Sequence, residues 1–283
     1  MTGQQLKSSI LQLAVQGKLV PQDPADEPAS VLLERIREEK EQLIREKKIK
    51  REKNPSQIFR GDDGHFYERI GKNAPVCIDE ELPFEIPETW EWARFSSIIF
   101  LISGTSYKKD DVKKTGIRIL RGGNIQENSL FLYDDDVFLS ASHYEDEKNI
   151  RYGDTIFVAS TGSKTVIGKP AFIPHDFPQT QIGAFLRIAR PINISLAKYV
   201  NLIFQTEYYR EHIRASVSGT NINNIKAIYV EAMLIPLPPL AEQQRIVAKI
   251  EELLPYVERY EQTENKLEKL NTTFPDQLKK SIL

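Results

Sequence analysis

The sequence has almost no cysteine and no long apolar run, and each absence excludes a class of protein. Cys77 is the only cysteine among 283 residues, so internal disulfides and cysteine-based zinc sites are excluded. No stretch approaches the roughly 18–20 apolar residues of a membrane helix, and the N-terminus lacks the pattern of a secretory signal. We therefore expect a soluble cytoplasmic protein with no membrane partner. Cys77 itself, between Val76 and Ile78, is expected to be a small buried side chain.

An excess of basic charge is also missing. The net charge is −2 and the isoelectric point is about 6.2, whereas a nucleic-acid-binding domain is usually basic. Residues 85–237, taken alone, carry 17 basic and 17 acidic side chains. Charge therefore counts against nucleic acid unless binding rests on local clusters.

No catalytic or metal-binding pattern is present either. The four histidines are scattered and lack metal-ligand spacing. The stretch 162–169 resembles a phosphate loop, but five residues separate its glycines and Pro170 stands where Ser or Thr should bind Mg²⁺. Residues 134–136, three aspartates, are interpreted as a solvated turn. We expect a protein that is not an enzyme and has no catalytic residue, no metal and no cofactor of its own.

The chain divides into four segments of different composition. Residues 1–53 are a helical segment, 54–84 a β-hairpin and linker, 85–237 a domain of alternating short strands and loops, and 238–283 a long helix. Strands and helices that are segregated in this way predict an α+β fold with one mixed α/β domain. Within that domain a single helix is expected over residues 195–216.

Two helices are predicted before the hairpin. Residues 4–16 place Leu6, Ile10, Leu13 and Ala14 on one face, and Gly17 ends the helix. A second helix is expected from Asp26, a good N-cap, to about residue 53. Nine basic and six acidic side chains alternate over residues 34–53, which favours a solvated helix over a nucleic-acid arm.

The last segment has the spacing of a coiled coil. Apolar residues follow one another at alternating steps of four and three, a period of 3.5. This pattern predicts a packing seam made of Ile246, Ile250, Leu253, Val257, Tyr260, Leu267, Phe274 and Leu278. Pro255 and Pro275 are expected to kink or break the helix. A helix this long requires a partner helix, from this chain or from another.

An internal repeat connects the two ends of the chain. Residues 5–11 and 277–283 agree at six of seven positions. When the two copies are aligned, residue 283 corresponds to residue 11, so the C-terminal copy would continue into a segment like the one that begins at residue 12. The alternative is that two similar amphipathic helices arose by chance.

The middle domain contains three polar clusters suited to DNA. Lys and Arg neutralise phosphates, while Asn and Arg can form paired hydrogen bonds with base edges. The candidate DNA-contacting residues are Lys108, Lys109, Lys113, Lys114, Arg118, Arg121 and Asn124 in the first cluster, Ser160, Thr161, Ser163, Lys164 and Lys169 in the second, and Thr220, Asn221, Asn223 and Asn224 in the third.

Four stretches resemble a known family. Residues 17–36, 82–92, 219–223 and 235–247, the last containing Pro-Leu-Pro-Pro-Leu-Ala-Glu-Gln-Gln, are similar to the specificity subunits of type I restriction–modification systems. The resemblance implies a non-catalytic subunit that binds double-stranded DNA, with modification and restriction subunits as partners. It also implies that S-adenosylmethionine, ATP and Mg²⁺ are bound by those partners only. A typical member has two target-recognition domains and two long helices that form an antiparallel coiled-coil ruler.

This chain departs from that pattern because it has one recognition domain. The circular repeat suggests half of a subunit, and two copies pairing through their long helices would restore two domains and read an inverted-repeat site. The alternative is a truncation of a longer parent. For the function as a whole, the alternative is a coiled-coil scaffold or adaptor that does not bind DNA.

Overall fold

The structure is a computed structural model that describes residues 2–126, 128–217 and 223–282. Side chains are described up to Leu270, with the exception of Asn223. Two of the candidate DNA contacts, Thr220 and Asn221, lie outside the described residues. The same holds for the side chains of the predicted seam residues Phe274 and Leu278.

Helix α1 (Gly3–Val15) forms as predicted. Its N-terminus is closed by a capping box in which Thr2 accepts from the Gln5 amide and Gln5 accepts from the Thr2 amide. It ends before Gly17, which has φ of +68°, a conformation that glycine adopts without strain. The buried face differs by one position from the prediction, because Leu11 is buried and Leu13 is exposed.

Helix α2 (Ala29–Arg45) is shorter at both ends than the sequence predicted. Asp26 does not cap it, since the carboxylate of Asp26 instead accepts two hydrogen bonds from Arg245. This hydrogen bonding holds the pKa of Asp26 below its ordinary value. At the other end the chain leaves the helix at Lys47, which has φ of +59°, so the charged residues 47–53 are not helical.

The predicted hairpin is present and carries a third strand that the sequence did not indicate. Strands β1 (Ser56–Arg60) and β2 (Phe66–Ile70) pair antiparallel, and β3 (Val76–Cys77) joins β2 on its other side. Cys77 is exposed, so the expectation of a buried cysteine was wrong. The reason is that β3 is a two-residue edge strand in which Val76 and Cys77 are both exposed, and only Ile78 after it is buried.

The middle domain is built from short strands separated by loops. Its first strands are β4 (Glu91–Arg94), β5 (Ile99–Ser103), β6 (Val112–Lys113), β7 (Ile117–Leu120), β8 (Ile125–Gln126), β9 (Ser129–Leu130), β10 (Val137–Leu139), β11 (Thr155–Val158), β12 (Ser160–Thr161), β13 (Pro170–Phe172), β14 (Thr180–Ile182) and β15 (Leu186–Pro191). They are followed by α3 (Ala197–Gln205), α4 (Glu207–Val217), β16 (Asn223–Asn224), α5 (Ala227–Glu231) and β17 (Leu234–Leu237). The mixed α/β character that the sequence predicted is therefore observed.

Two four-stranded sheets form the body of this domain. One has the order β13-β11-β15-β5 and is antiparallel, and the other has the order β14-β7-β10-β6, with β14 and β7 parallel. Pairs β8-β9, β12-β16 and β17-β4 complete the described pairing. The pair β17-β4 joins the two ends of the domain, which places the N-terminal segment beside the start of the C-terminal helix.

The helix predicted over residues 195–216 is two helices. Thr206 has an extended backbone, with φ of −71° and ψ of 152°. Its hydroxyl donates to the Ile203 carbonyl and accepts from the Tyr209 amide. The threonine side chain thus replaces helical hydrogen bonds at the break, and α4 turns away from α3.

Helix α6 (Leu240–Ile282) is continuous through both prolines. Of the two outcomes expected at Pro255 and Pro275, a kink or a break, the break does not occur. A proline removes a single N–H from the helical ladder, and the turns on either side retain theirs.

The first half of the predicted seam is used within the chain. Ile246, Ile250 and Val257 are buried in a core that also takes side chains from α1, α2 and α3. The Gly3 amide donates to Glu264, and Leu11 lies in a groove with Leu254, so α1 runs antiparallel to α6. Gly3 permits this approach, because a β-carbon there would lie 2.6 Å from the Glu261 β-carbon.

In the second half of the seam, the side chains that the structure describes are exposed. Beyond Glu264, where α1 begins, the described side chains Leu267 and Leu270 are 56% and 63% exposed. Tyr260 is also exposed. None of the described helices is both long enough and apolar enough to cross a bilayer.

Candidate nucleic-acid interface

The second and third polar clusters lie side by side. Strand β12 pairs antiparallel with β16, with Ser160 opposite Asn224 and Thr161 opposite Asn223. The amide of Ile225 donates to the Ala159 carbonyl and extends this pairing. These clusters are about 60 residues apart in the chain, so no local sequence pattern indicates the contact.

The second cluster and the loop that follows Arg121 enclose one concave surface of about 730 Å³, which we call the glycine groove. It is lined by Gly122, Gly123, Ile125, Gln126, Val158, Ser160, Thr161, Gly162, Val166, Lys169 and Phe185. A β-carbon added at Gly123 or Gly162 would meet no atom within 4 Å. The backbone there is open to close approach by a large ligand.

Phe185 is the functional candidate that the sequence did not reveal. Its side chain is 66% exposed in the groove, although phenylalanine is usually buried. Its carbonyl accepts from the amides of Ala159 and Ser160. The backbone of β12 therefore fixes the position of this exposed ring beside Ser160 and Thr161.

Two residues predicted to contact DNA instead support a loop. Asn124 is 2% exposed. Its side-chain oxygen accepts from the Arg121 amide, and its nitrogen donates to Phe131 and to Asp136. Arg118 donates to the same carboxylate and to the Tyr133 carbonyl. This placement corrects the expectation that the amide of Asn124 is presented to a ligand, because all of these hydrogen-bonding groups have internal partners.

Asp136 is the centre of that network. Its carboxylate is buried, so the expectation that residues 134–136 form a solvated turn was wrong for this position. Burial alone would raise the pKa of Asp136, but hydrogen bonds from Asn124, the Tyr133 amide and Arg118 hold that pKa below its ordinary value. The charged carboxylate therefore holds residues 131–136 against residues 121–124, two of which, Gly122 and Gly123, line the groove. Phe131 and Tyr133 in this loop are exposed and lie outside any strand.

The lysines of the first cluster lie elsewhere on the domain. Lys113 is in β6, the edge strand that is separated from β7 by β10. Lys108, Lys109, Lys113 and Lys114 are exposed, but the structure does not place them in the glycine groove. Lys164 and Arg121 are exposed on the loops that border the groove.

Three of the four segments that carry the family resemblance meet at one junction. The Trp90 indole nitrogen and the Gln22 amide both donate to Glu242, at 2.8 and 2.7 Å. A β-carbon at Gly17 would lie 2.5 Å from Pro87, and the Ala29 amide donates to Thr89. Burial raises the pKa of Glu242. The N-terminal segment, the start of the domain and α6 are thereby fixed to one another.

Comparison with known proteins identifies the family. The description "Type I restriction modification DNA specificity domain" matches residues 87–269. The chain is 34% identical over 256 residues to the specificity subunit of the type I restriction enzyme EcoAI from Escherichia coli, covering 88% of this chain and 39% of that one. It is also 34% identical over 186 residues to the EcoKI specificity subunit of Escherichia coli strain K12, covering 63% and 40%.

A solved structure agrees with this assignment at the level of fold. This chain superposes on a chain from a structure solved to explain complex assembly and conformational transition of the type I R-M system. The TM-score is 0.52 at 20% identity, and the match covers 88% of this chain and 56% of that one. The chain belongs to the family of type I restriction–modification specificity proteins. It spans about two-fifths of the length of the curated relatives it matches.

Proposed function

We propose that the chain is a sequence-specific DNA-recognition subunit of a type I restriction–modification complex, directing adenine methylation and cleavage by partner subunits. The observation that carries the proposal is the family match, which includes the whole glycine groove. In this proposal the chain is non-catalytic and works in the cytoplasm. The modification and restriction subunits supply S-adenosylmethionine, ATP and Mg²⁺.

The groove is the proposed DNA-contacting surface. Open glycine backbone, hydroxyls from Ser160 and Thr161, and the charge of Lys169 are suited to a duplex that approaches closely. Arg121 and Lys164 at the border would neutralise phosphates, and the exposed ring of Phe185 would contact a base edge, such as a thymine methyl group. The remaining predicted contacts, including Thr220, Asn221 and the four lysines of the first cluster, stay predictions.

The near-neutral charge sets the expected strength of binding. Non-specific affinity for DNA comes from neutralised phosphates, and the domain has no excess of basic side chains. We therefore expect weak binding by the isolated chain and tight binding once modification subunits are added.

A gel-shift experiment with modification subunits tests the proposal. Lys164→Ala should weaken binding to all DNA sequences and reduce the salt dependence of the affinity by about one phosphate contact. Lys72→Ala, an exposed lysine on the hairpin sheet, is the matched control and should leave both unchanged. Absence of any DNA-dependent shift with modification subunits present would favour the scaffold alternative.

We further propose that two copies associate through α6. Residues 265–282 extend beyond α1 by about 27 Å, at about 1.5 Å per residue. Their described apolar side chains, Leu267 and Leu270, are exposed. Residues 277–283 repeat the sequence of residues 5–11, which belong to α1. Since α1 packs on α6 in this chain, the end of α6 has the sequence pattern of a helix that packs on α6. Pairing of the two extensions would form the antiparallel ruler.

A further inference from the structure

The hairpin sheet places three different metal-ligating side chains on one face. Phe66 and Ile78 point into a small core with Trp92, so their neighbours His65, Cys77 and Asp79 point to solvent. Strand β3 pairs Cys77 with Tyr67, and the Ile78 amide donates to the Phe66 carbonyl. This backbone pairing brings residues 65 and 79 opposite each other.

The potential ligand atoms are close together. One atom each of His65, Cys77 and Asp79 lies within 4.8 Å of the other two. Asp79 is fixed by two hydrogen bonds, from the Phe66 amide at 2.8 Å and with His65 Nδ1 at 2.5 Å. The expectation that the chain has no cysteine-based zinc site rested on the number and spacing of ligands in the sequence, and the proposal below departs from it. Sequence spacing does not reveal this cluster, because the hairpin alone brings residue 65 to residues 77 and 79.

We propose that His65, Cys77 and Asp79 form a binding site for a divalent transition metal, with Zn²⁺ as the ion that this donor set suits best. Zn²⁺ binds thiolate, imidazole and carboxylate together, in tetrahedral geometry. Hard ions such as Mg²⁺ prefer oxygen ligands alone. Water occupies the fourth position, since the cluster is open to solvent.

The geometry requires only a small adjustment. With bond lengths of about 2.0–2.3 Å, ligand atoms around tetrahedral Zn²⁺ are about 3.3–3.6 Å apart. The His65–Asp79 pair must open by roughly 1 Å as the ion replaces the hydrogen that the two groups share. Cys77 binds as the thiolate, and its proton passes to water.

The ion would strengthen the edge of the hairpin sheet. Strand β3 has two registered pairs with β2, so its hold on the sheet is short. A metal bridge between His65, at the end of the turn, and Cys77 and Asp79 adds a cross-link across that edge. Because binding favours the folded state, Zn²⁺ should raise the melting temperature.

The chain offers an unambiguous spectroscopic test, since Cys77 is its only cysteine. Titration of the full-length, reduced protein with Co²⁺ should produce a thiolate-to-cobalt charge-transfer band that saturates at one equivalent, and Zn²⁺ should abolish it. Cys77→Ser should remove the band and the rise in melting temperature, and His65→Asn should weaken Co²⁺ binding by about tenfold or more. His175→Asn, which changes another exposed histidine, is the control and should bind as the wild type does. Circular dichroism establishes that each variant is folded.

Two results would overturn the proposal. One is a wild-type protein that takes up less than one equivalent of Co²⁺ or Zn²⁺ with Cys77 reduced. The other is Co²⁺ bound without a thiolate band, which would place the ion elsewhere. Neither result bears on DNA recognition, which involves a separate surface.

Discussion

At the scale of single residues, Phe185 is the most specific test of the glycine groove. An exposed side chain contributes little to stability, so Phe185→Ala should leave the free energy of unfolding within about 0.5 kcal/mol of wild type. Covering the exposed ring on binding contributes about 1.5–3 kcal/mol, so DNA binding should weaken roughly tenfold or more. Fluorescence anisotropy with labelled DNA and modification subunits measures both affinity and discrimination.

Val76→Ala is the matched control for this change. Val76 is about as exposed as Phe185, at 65%, and lies on the hairpin sheet. If both substitutions weaken binding equally, or neither does, Phe185 is not a DNA contact.

Arg94 tests the ion pair that links the hairpin sheet to the middle domain. Its guanidinium donates to Glu68 at 2.6 and 2.9 Å and to the Ala232 carbonyl at 2.9 Å, and the Glu68 side chain is buried. Arg94→Ala leaves a buried carboxylate without its partner, which should cost about 3–5 kcal/mol. Arg51→Ala removes an exposed pair with Glu41 and should change stability by less than about 1 kcal/mol. Urea unfolding compares them, and equal losses would contradict the assignment.

The chemical type of the residues predicted part of the lining of the glycine groove. The differences between prediction and structure are explained by which side chains are buried. Ser160, Thr161 and Lys169 do line the glycine groove. Asn124 has the side chain of a base-reading residue, but its position turns it into the interior. Phe185 has the side chain of a core residue but is exposed. Residue type cannot distinguish these cases, because exposure depends on strand pairings such as β12 with β16.

At the scale of secondary-structure elements, Glu242 tests the junction between the N-terminal segment and α6. Glu242→Ala leaves the buried Trp90 indole without an acceptor, which should cost about 1–3 kcal/mol. The exposed Gln22 side chain still donates to the Gly17 carbonyl. Glu242→Gln retains an acceptor for Trp90 and should lose much less. Thermal or urea unfolding of the two variants gives the comparison, and similar losses would show that these hydrogen bonds contribute little.

A comparison of wild type with Glu242→Gln predicts that the stability of the wild type depends on pH. Because burial raises the pKa of Glu242, the stability associated with its protonated form is present at low pH. It is lost as pH rises from the ordinary glutamate value, about 4.3, through the raised pKa. Glu242→Gln lacks this loss, so its stability relative to wild type should increase over that interval. A pH-independent difference would mean that Glu242 titrates normally.

Local sequence patterns predicted those secondary-structure elements whose ends are determined by residues close to them in the chain. The capping box and Gly17 define α1, and the turn at residues 61–64 defines the β1-β2 hairpin. The break at Thr206 depends on one hydroxyl, and the N-terminus of α2 depends on the pairing of Asp26 with Arg245, 219 residues away. Contacts of that range are not visible in a periodic pattern.

At the scale of the whole molecule, the exposed side chains of Leu267 and Leu270 on α6 predict self-association. The wild type should be a dimer by multi-angle light scattering at micromolar concentration. Replacing Leu267 and Leu270 together by Glu should give a monomer, because exposed charge cannot pack in an apolar seam. Val112→Glu, an exposed position on β6, is the control and should remain dimeric. A wild type that is monomeric at high micromolar concentration, with and without modification subunits, would contradict this prediction.

The central claim is that this chain supplies the recognition of a type I restriction–modification complex, with each copy reading half of a site. Methylome sequencing of cells that express it with its modification subunit tests the claim most directly. A two-fold dimer predicts adenine methylation at a single motif with two inverted halves and a fixed unread gap. Loss of methylation on Phe185→Ala or Lys164→Ala would locate the recognition in the glycine groove. A methylome with no new motif, or with two unrelated halves, would contradict the account.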